Sequence, residues 1–271
     1  MRVVSFNVNS IRAREHQIEA IVARHDPDLL GLQETKVDNE TFPTGLPERL
    51  GLEASIHGQK GYHGVALFSR CAPEDVTVGL PTDEVGADCR FIAARFATQS
   101  GPLHVINAYF PQGESRDHPV KFPEKERFYA GVRAYLEREL DPAEDVIVMG
   151  DMNVAPVEAD IGIGEDNRRR WLRSGKCCFL SEEREWLAGL TDWGLVDSFR
   201  HAQPEVEDCY SWFDYRSRGF ERTPRRGLRI DLILVSQSLA KRLAGAGIDY
   251  ETRSMTRPSD HCPAWAHFKP E

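Results

Sequence analysis

The stretch Val146-Ile-Val-Met-Gly-Asp151-Met-Asn153 constrains this chain more than any other. A run built on β-branched residues reads as a buried strand. It ends in a carboxylate and an amide, which cannot be buried cheaply without partners. Read as extended backbone, Asp151 and Asn153 face the same way. A strand that delivers both groups to its carboxyl end is one way to build a metal or phosphate site.

The same device recurs along the chain. Residues 1–9 run Met-Arg-Val-Val-Ser-Phe-Asn-Val-Asn, an apolar strand ending in Asn7 and Asn9. The run from Asp28 ends in Gln33 and Glu34, and the run from His104 ends in Tyr109 and Gln112. Asp231 opens a very apolar strand, and Ser259-Asp260-His261 precedes the last one. Taken singly, each residue has an ordinary explanation as a turn, a cap or a packed polar group. Taken together, they form a set that one reaction can use. In open α/β sheets ligands collect outside strand ends, where residues distant in sequence meet.

Helical stretches alternate with these strands. Ile18, Ile21 and Val22 mark one face over 14–24, and Phe128, Val132, Tyr135 and Leu136 mark another over 124–140. A third helix is expected from Ser181, with the serine as cap, ending before Gly194. Most strands are joined by short connections, not by a helix each time, which points to mixed sheets. The expected architecture is one α/β domain over residues 1–271, two packed mixed sheets with helices outside. A strand, Asn or Asp, helix, strand, acid pattern occurs twice. The segments 154–181 and 209–229 read as long irregular loops rich in Gly, Arg and aromatic residues.

No apolar run is long enough to span a membrane, and no signal peptide precedes the first strand, so a cytoplasmic protein is expected. The six cysteines include no Cys-x-x-Cys pair, which argues against a zinc site or a disulfide framework. A net charge of −9 argues against nonspecific binding to nucleic acid. Two local segments run the other way. Arg168, Arg169, Arg170 and Arg173 surround Trp171, and Arg216, Arg218, Arg222, Arg225, Arg226 and Arg229 follow Phe213 and surround Phe220. Basic runs with interleaved aromatics favour contact with a phosphate backbone.

The polar set permits phosphodiester hydrolysis. Glu34 can bind a hard cation, with Asn7 and Asp260 as further ligands or holders of its waters. Magnesium fits such an oxygen-rich set, and manganese would fit the same ligands. Asp151 and Asn153 can orient an attacking water, with Asp151 as general base. His261 can donate to a phosphate oxygen, with Asp231 fixing its tautomer and favouring its charged form. Tyr109 can hydrogen-bond the phosphate or the developing charge.

The blocks that carry these residues resemble the bacterial exonuclease III family, within the exonuclease–endonuclease–phosphatase superfamily of deoxyribonuclease I-like fold. They are Ser5-Phe-Asn7-Val-Asn9, Leu32-Gln-Glu34-Thr-Lys36, Asn107-Ala-Tyr109-Phe-Pro-Gln112, Gly150-Asp151-Met-Asn153, Ser211-Trp212-Phe213-Asp-Tyr-Arg216, Gly227-Leu-Arg229-Ile-Asp231 and Ser259-Asp260-His261. The likeness covers essentially the whole chain. It implies a four-layered α/β sandwich and a Mg²⁺-dependent hydrolase. It implies cleavage of duplex DNA 5′ to abasic sites, 3′→5′ exonuclease action and removal of 3′-phosphate and other blocking groups. Glu34, Asn7, Asp260, Asp151 and Asn153 are then the metal positions. Tyr109, Asp151, Asn153, Asp231 and His261 are the catalytic ones. Asn9, Gln112, Arg90, Lys121, Trp212, Phe213 and Arg216 are implied to contact substrate, with Trp212 in a pocket for a flipped abasic sugar. The implied partner is duplex DNA with abasic sites or 3′ ends, and the implied state is a monomer. Superfamily relatives that hydrolyse inositol phosphates share the core set, and a catalytically dead DNA-binding member would keep the fold. The Trp-Phe-Asp-Tyr-Arg segment and the Arg-rich loops favour an active DNA enzyme over both. The segment from Thr223 to Arg226 is longer than the family pattern, which concerns only the DNA-facing loop.

Overall fold

Two βαβ units dominate the computed structural model, which describes residues 1–270. The first unit and its return strands are β1 (Arg2–Asn7), α1 (Glu15–His25), β2 (Leu29–Gln33), α2 (Gly45–Arg49), β3 (Glu53–His57) and β4 (Val65–Ser69). The second begins with β5 (Asp75–Val78), β6 (Phe91–Thr98), β7 (Gly101–Tyr109), α3 (Lys121–Glu139) and β8 (Asp145–Asp151). It continues through α4 (Glu165–Arg173), α5 (Ser181–Asp192), β9 (Leu195–Asp197), α6 (Ser198–Ala202) and β10 (Asp231–Ser236). The chain then passes through α7 (Gln237–Arg242), β11 (Leu243–Ile248), α8 (Tyr250–Arg253) and β12 (Ala264–Phe268).

The strands form two six-stranded sheets, in the orders β11-β12-β1-β2-β4-β3 and β5-β6-β7-β8-β10-β9. Each sheet holds one parallel pair, β1–β2 or β7–β8, and antiparallel pairs elsewhere. The repeated pattern in the sequence is therefore real topology. Each parallel pair is bridged by one helix, α1 or α3, because parallel strands need a crossover.

The sheets face each other, with helices outside, as the sequence predicts. On β8, Ile147 and Met149 pack between the sheets, while Val146 and Val148 pack outward in the cluster that includes Phe128, Val132 and Leu136 of α3. Both faces of this strand are thus covered, which is why it reads as an unbroken apolar run. On the other side, Ile18 and Ile21 of α1 pack on Val4, Phe6, Leu30 and Leu32.

One polar seam crosses the apolar layer between the sheets. Gln33 Nε2 donates to Asn107 Oδ1 at 2.6 Å and to Ser5 Oγ at 3.1 Å. Asn107 Nδ2 donates to the carbonyls of Leu32 and Ala66 at 3.0 and 2.9 Å. Ser5, Gln33 and Asn107 are all fully buried. Buried polar groups tolerate only arrangements that satisfy them, so this seam opposes sliding of one sheet over the other.

Three local expectations are corrected. Ser181 is the first residue of α5 and not its cap; the Leu180 N–H is satisfied by the Glu183 carboxylate at 2.8 Å instead. The segment 154–181 is not wholly irregular, since it contains α4. That helix has no buried residue, so it offers no apolar stripe for sequence to reveal. Asp151 and Asn153 are not successive same-side residues of a strand, because β8 stops at Asp151 and Asn153 turns with φ 52°. All six cysteines are free, and among the described residues no helix is long and apolar enough to cross a membrane.

Candidate active site

The ends of β1, β2, β7, β8 and β10 meet on one side of the sandwich. Strand register explains part of this. Asn7 pairs with Gln33, Tyr109 with Asp151, and Asp151 with Asp231. Gly150 permits the close approach of β7 and β8 before the turn: it has φ 150°, and a Cβ there would lie 1.8 Å from the Ala108 carbonyl oxygen.

Asn7 joins the two sheets. Its Nδ2 donates to Glu34 Oε1 and to Asp151 Oδ2, each at 2.9 Å. Its Oδ1 accepts from the Asn9 N–H at 3.1 Å. Lys36 stands beside Glu34, with Nζ 2.9 Å from Oε2 and 2.6 Å from Asn9 Oδ1. Asn9 Nδ2 donates to Asp260 Oδ1 at 2.8 Å, and Trp212 Nε1 donates to Asp260 Oδ2 at 3.1 Å. Both oxygens of Asp260 are therefore engaged. Burial would raise its carboxyl, but His261 and the donors Asn9 and Trp212 outweigh burial and hold it below the ordinary range.

His261 is fixed on three sides. Its Nδ1 lies 2.9 Å from Asp231 Oδ2, its N–H donates to Ser259 Oγ, and its Nε2 lies 3.7 Å from Asp151 Oδ2. Burial favours the neutral ring, yet the carboxylates of Asp231 and Asp151 hold it charged up to about 10. Ser211 Oγ accepts the N–H groups of Ile230 and Asp231 at 3.0 Å each, which sets the start of β10. Asp151 is pushed up to about 7, chiefly by burial, with Asp231 adding to it and His261 opposing.

Tyr109 is partly buried, and Arg90 lies 4.8 Å over its ring. Burial and the carboxylates of Glu34 and Asp151 raise its hydroxyl well above the ordinary value, so it stays a donor. Asn153 faces another way from the strand prediction. Its N–H donates to Asp151 Oδ1 at 3.0 Å, its Nδ2 donates to the Phe110 carbonyl at 2.9 Å, and its Oδ1 faces Cys178.

Glu34, Asp151 and His261 bring ligand atoms within 4.8 Å of one another. The oxygen donors of Glu34 and Asp151 suit a hard cation. Burial first, and then the neighbouring carboxylates Asp231 and Glu34, raise the Asp151 carboxyl, and a cation held at Glu34 and Asp151 would relieve that cost. The Asp231 carboxylate at Nδ1 and Asp151 near Nε2 favour the charged ring, which suits His261 to donating to an anion.

The implied substrate contacts divide into two groups. Asn9, Arg90 and Trp212 lie against the cluster, whereas Gln112 and Arg216 on loops and Lys121 at the start of α3 are exposed. Lys121 pairs with Glu114 at 2.6 Å. Phe213 is a correction, because it is fully buried against Tyr210, Phe220 and Tyr250 and presents no surface to a substrate. Arg229 is likewise no phosphate contact. It is fully buried in ion pairs with Asp160 at 2.7 Å and Asp197 at 2.6 Å. Sequence reasoning gave no role to Lys36, Ser211 or Ser259, although all three stand inside the quoted blocks. Their position beside Glu34, Trp212 and Asp260 was the available signal.

Residues 4–261 match the Endonuclease/Exonuclease/phosphatase family. The chain is 54% identical over 269 residues to exodeoxyribonuclease III of Haemophilus influenzae, covering 99% of this chain and 100% of that one. It superposes on a 3′-5′ exonuclease from Neisseria meningitidis with a TM-score of 0.88 at 39% identity, covering 100% of both chains. An AP endonuclease from Archaeoglobus fulgidus gives a TM-score of 0.90 at 34% identity, again covering 100% of both. With its strand-end carboxylates, its Asp–His pair and these full-length likenesses, the chain belongs to the endonuclease/exonuclease/phosphatase family.

Proposed function

We propose that this protein is a Mg²⁺-dependent DNA-repair phosphodiesterase. It cleaves duplex DNA 5′ to abasic sites, acts as a 3′→5′ exonuclease, and removes 3′-phosphate and other 3′-blocking groups. The observation that carries this reading is the linked cluster Glu34–Asn7–Asp151 beside the Asp231–His261 pair. The relatives support the choice of DNA: a 3′ phosphatase from Neisseria has a structure bound to a product DNA hairpin, and it is 39% identical to this chain.

Glu34 and Asp151 would hold the magnesium, with Asn7 and Asn9 fixing their orientation. When bound, the ion neutralises charge on the phosphate and on the leaving oxygen. Asp151 orients the attacking water and accepts its proton. Asn153, clamped on the same turn, acts on that water through Asp151, whose Oδ1 its N–H holds. His261 donates from Nε2 to a non-bridging oxygen, with Asp231 keeping the ring charged. Tyr109 donates its hydroxyl to the phosphate. Water adds to phosphorus as the P–O3′ bond breaks, leaving a 3′-hydroxyl and a 5′-phosphate.

Trp212 forms the wall for a base-free sugar, which lacks the hydrogen-bonding edge of a normal nucleotide. Asn9, Arg90, Gln112, Lys121 and Arg216 contact the backbone around it. The protein acts as a monomer in the cytoplasm, alongside its duplex DNA substrate.

The test uses a duplex with one central abasic analogue, labelled at the 5′ end of the damaged strand. A product ending just 5′ of the lesion, seen with Mg²⁺ and lost with EDTA or in Asp151→Asn, is the expected result. Intact duplex under all conditions would overturn the assignment.

A further inference from the structure

Behind the site, away from the carboxylates, lies a lysine that the mechanism above does not use. Lys125 on α3 and Glu183 on α5 are both fully buried and pair at 2.5 Å. Lysine is almost never fully buried unless paired. As a device for stability alone the pair has little merit, since apolar residues of similar volume serve at least as well.

The ammonium has three N–H groups. One meets Glu183 Oε1. The other two meet backbone carbonyls, Asn153 at 2.8 Å and Gln112 at 3.3 Å. These two segments are distant in sequence, and both carry residues of the proposed site. We infer that Lys125, oriented by Glu183, is a positioning residue that sets the placement of Asn153 and Gln112 by holding both carbonyls. This inference rests on the proposed DNA cleavage at the neighbouring site.

Asn153 needs such support. At φ 52° it occupies the left-handed region, which non-glycine residues adopt uncommonly, asparagine more readily than most. Its N–H is held by Asp151, its Nδ2 by Phe110, and its carbonyl by Lys125. The Gln112 loop is pressed on the lysine stem. Gly113 has φ 85°, and a Cβ there would lie 3.0 Å from Lys125 Cδ and 2.9 Å from Cys177 Sγ. Cys178 stands between the two side chains, its Sγ 3.7 Å from Gln112 Nε2 and 4.0 Å from Asn153 Oδ1. Glu183 in turn accepts the Leu180 N–H through its second oxygen at 2.8 Å, which ties the ion pair to the start of α5. Hydrophobic replacements could fill this volume, but they cannot hold two loop carbonyls in register.

The test compares wild type with Lys125→Met/Glu183→Leu, which removes both charges together and leaves no buried ion unpaired. We expect a folded protein of lower thermal stability, because the Asn153 and Gln112 carbonyls and the Leu180 N–H lose their partners, with a kcat on the abasic duplex lower by about 10- to 100-fold and a KM changed far less. A folded double variant with wild-type kcat would overturn the positioning role. Should the double variant fail to fold, Lys125→Arg decides. It keeps the pair with Glu183, but a planar fork cannot meet three converging acceptors. A loss of kcat of about tenfold in the folded variant, larger than any change in KM, is expected on the same positional sensitivity. Full kcat in folded Lys125→Arg would overturn the inference. A wild type that cleaves no DNA overturns the functional reading itself and the positioning role with it, whereas an active wild type matched by its variants overturns the positioning role alone.

Discussion

Asp151→Asn should abolish turnover and, in the absence of metal, make the protein more stable. The buried Asp151 carboxyl is raised from its ordinary 3.8 to about 7. Below pH 3.8 it is protonated whether folded or unfolded, and contributes no difference. Between 3.8 and about 7 the unfolded chain ionises first, so folded stability falls as pH rises; above 7 the cost is constant. The full difference corresponds to about 4 kcal/mol. The attraction to His261 is already contained in that figure, because it opposes burial in setting the value. The amide removes the ionisation cost but brings an NH₂ against the Asn7 Nδ2, which now donates to Asp151 Oδ2. Losing that bond costs about 1–2 kcal/mol. The variant should therefore be the more stable by about 2–3 kcal/mol at pH 8 in EDTA, and the two proteins should match near pH 5. Urea unfolding at pH 5, 6, 7 and 8 in EDTA measures this directly. Mg²⁺ should reverse the order at pH 8, since only the native carboxylate offers the ion a full charge. A variant less stable than wild type at pH 8 in EDTA would refute the claim that Asp151 is held against the cost of burial.

Other expectations follow from the same geometry. Trp212→Ala should reduce abasic-site cleavage about tenfold more than removal of a 3′-phosphate, because only the lesion sugar uses the pocket; equal losses in kcat/KM would make Trp212 a packing residue. Asn107→Leu removes three hydrogen bonds from the seam between the sheets. It should cost about 3 kcal/mol and lower Tm by roughly 6–12 °C in a thermal melt; an unchanged Tm would deny the seam its role. Arg216→Ala and Arg218→Ala should each flatten the salt dependence of DNA affinity by about one charge, whereas a slope equal to wild type would remove the loop from the backbone contact.

Most of the site was legible because its residues stand next to strands that had to be apolar. Asn7, Glu34, Tyr109, Asp151 and Asp231 each interrupt a run whose other members belong to the core, so their polarity stands out. Residues that failed the sequence reading failed for a common reason, the side a chain direction takes. Trp212 and Phe213 are neighbours in a bridge-forming segment, and neighbours in extended chain face opposite ways. Trp212 therefore reaches Asp260, and Phe213 enters the core. Asn153 was misread because φ 52° ends the alternation one residue past the strand.

Long-range pairing sets the deeper limit. Arg229 reads as one more basic residue in an Arg-rich loop until Asp160 and Asp197 are brought to it by the fold. Lys125 lies on the face of α3 that carries Phe128, Tyr129 and Val132, where a helical pattern would count a lysine as noise. Its partner Glu183 lies in the first turn of another helix, 58 residues later. Neither residue announces a site, yet together they hold two loops that do. The site itself has the same character. Glu34 comes from one sheet and Asp151 from the other, and Asn7 binds both. The chemistry thus depends on how the two sheets are seated, and the buried Ser5–Gln33–Asn107 seam fixes that seating a few residues behind the reacting groups. A change in the seam should therefore be felt as lost turnover before it is felt as lost fold, because a small slide separates Asn7 from Asp151 while most apolar contacts survive.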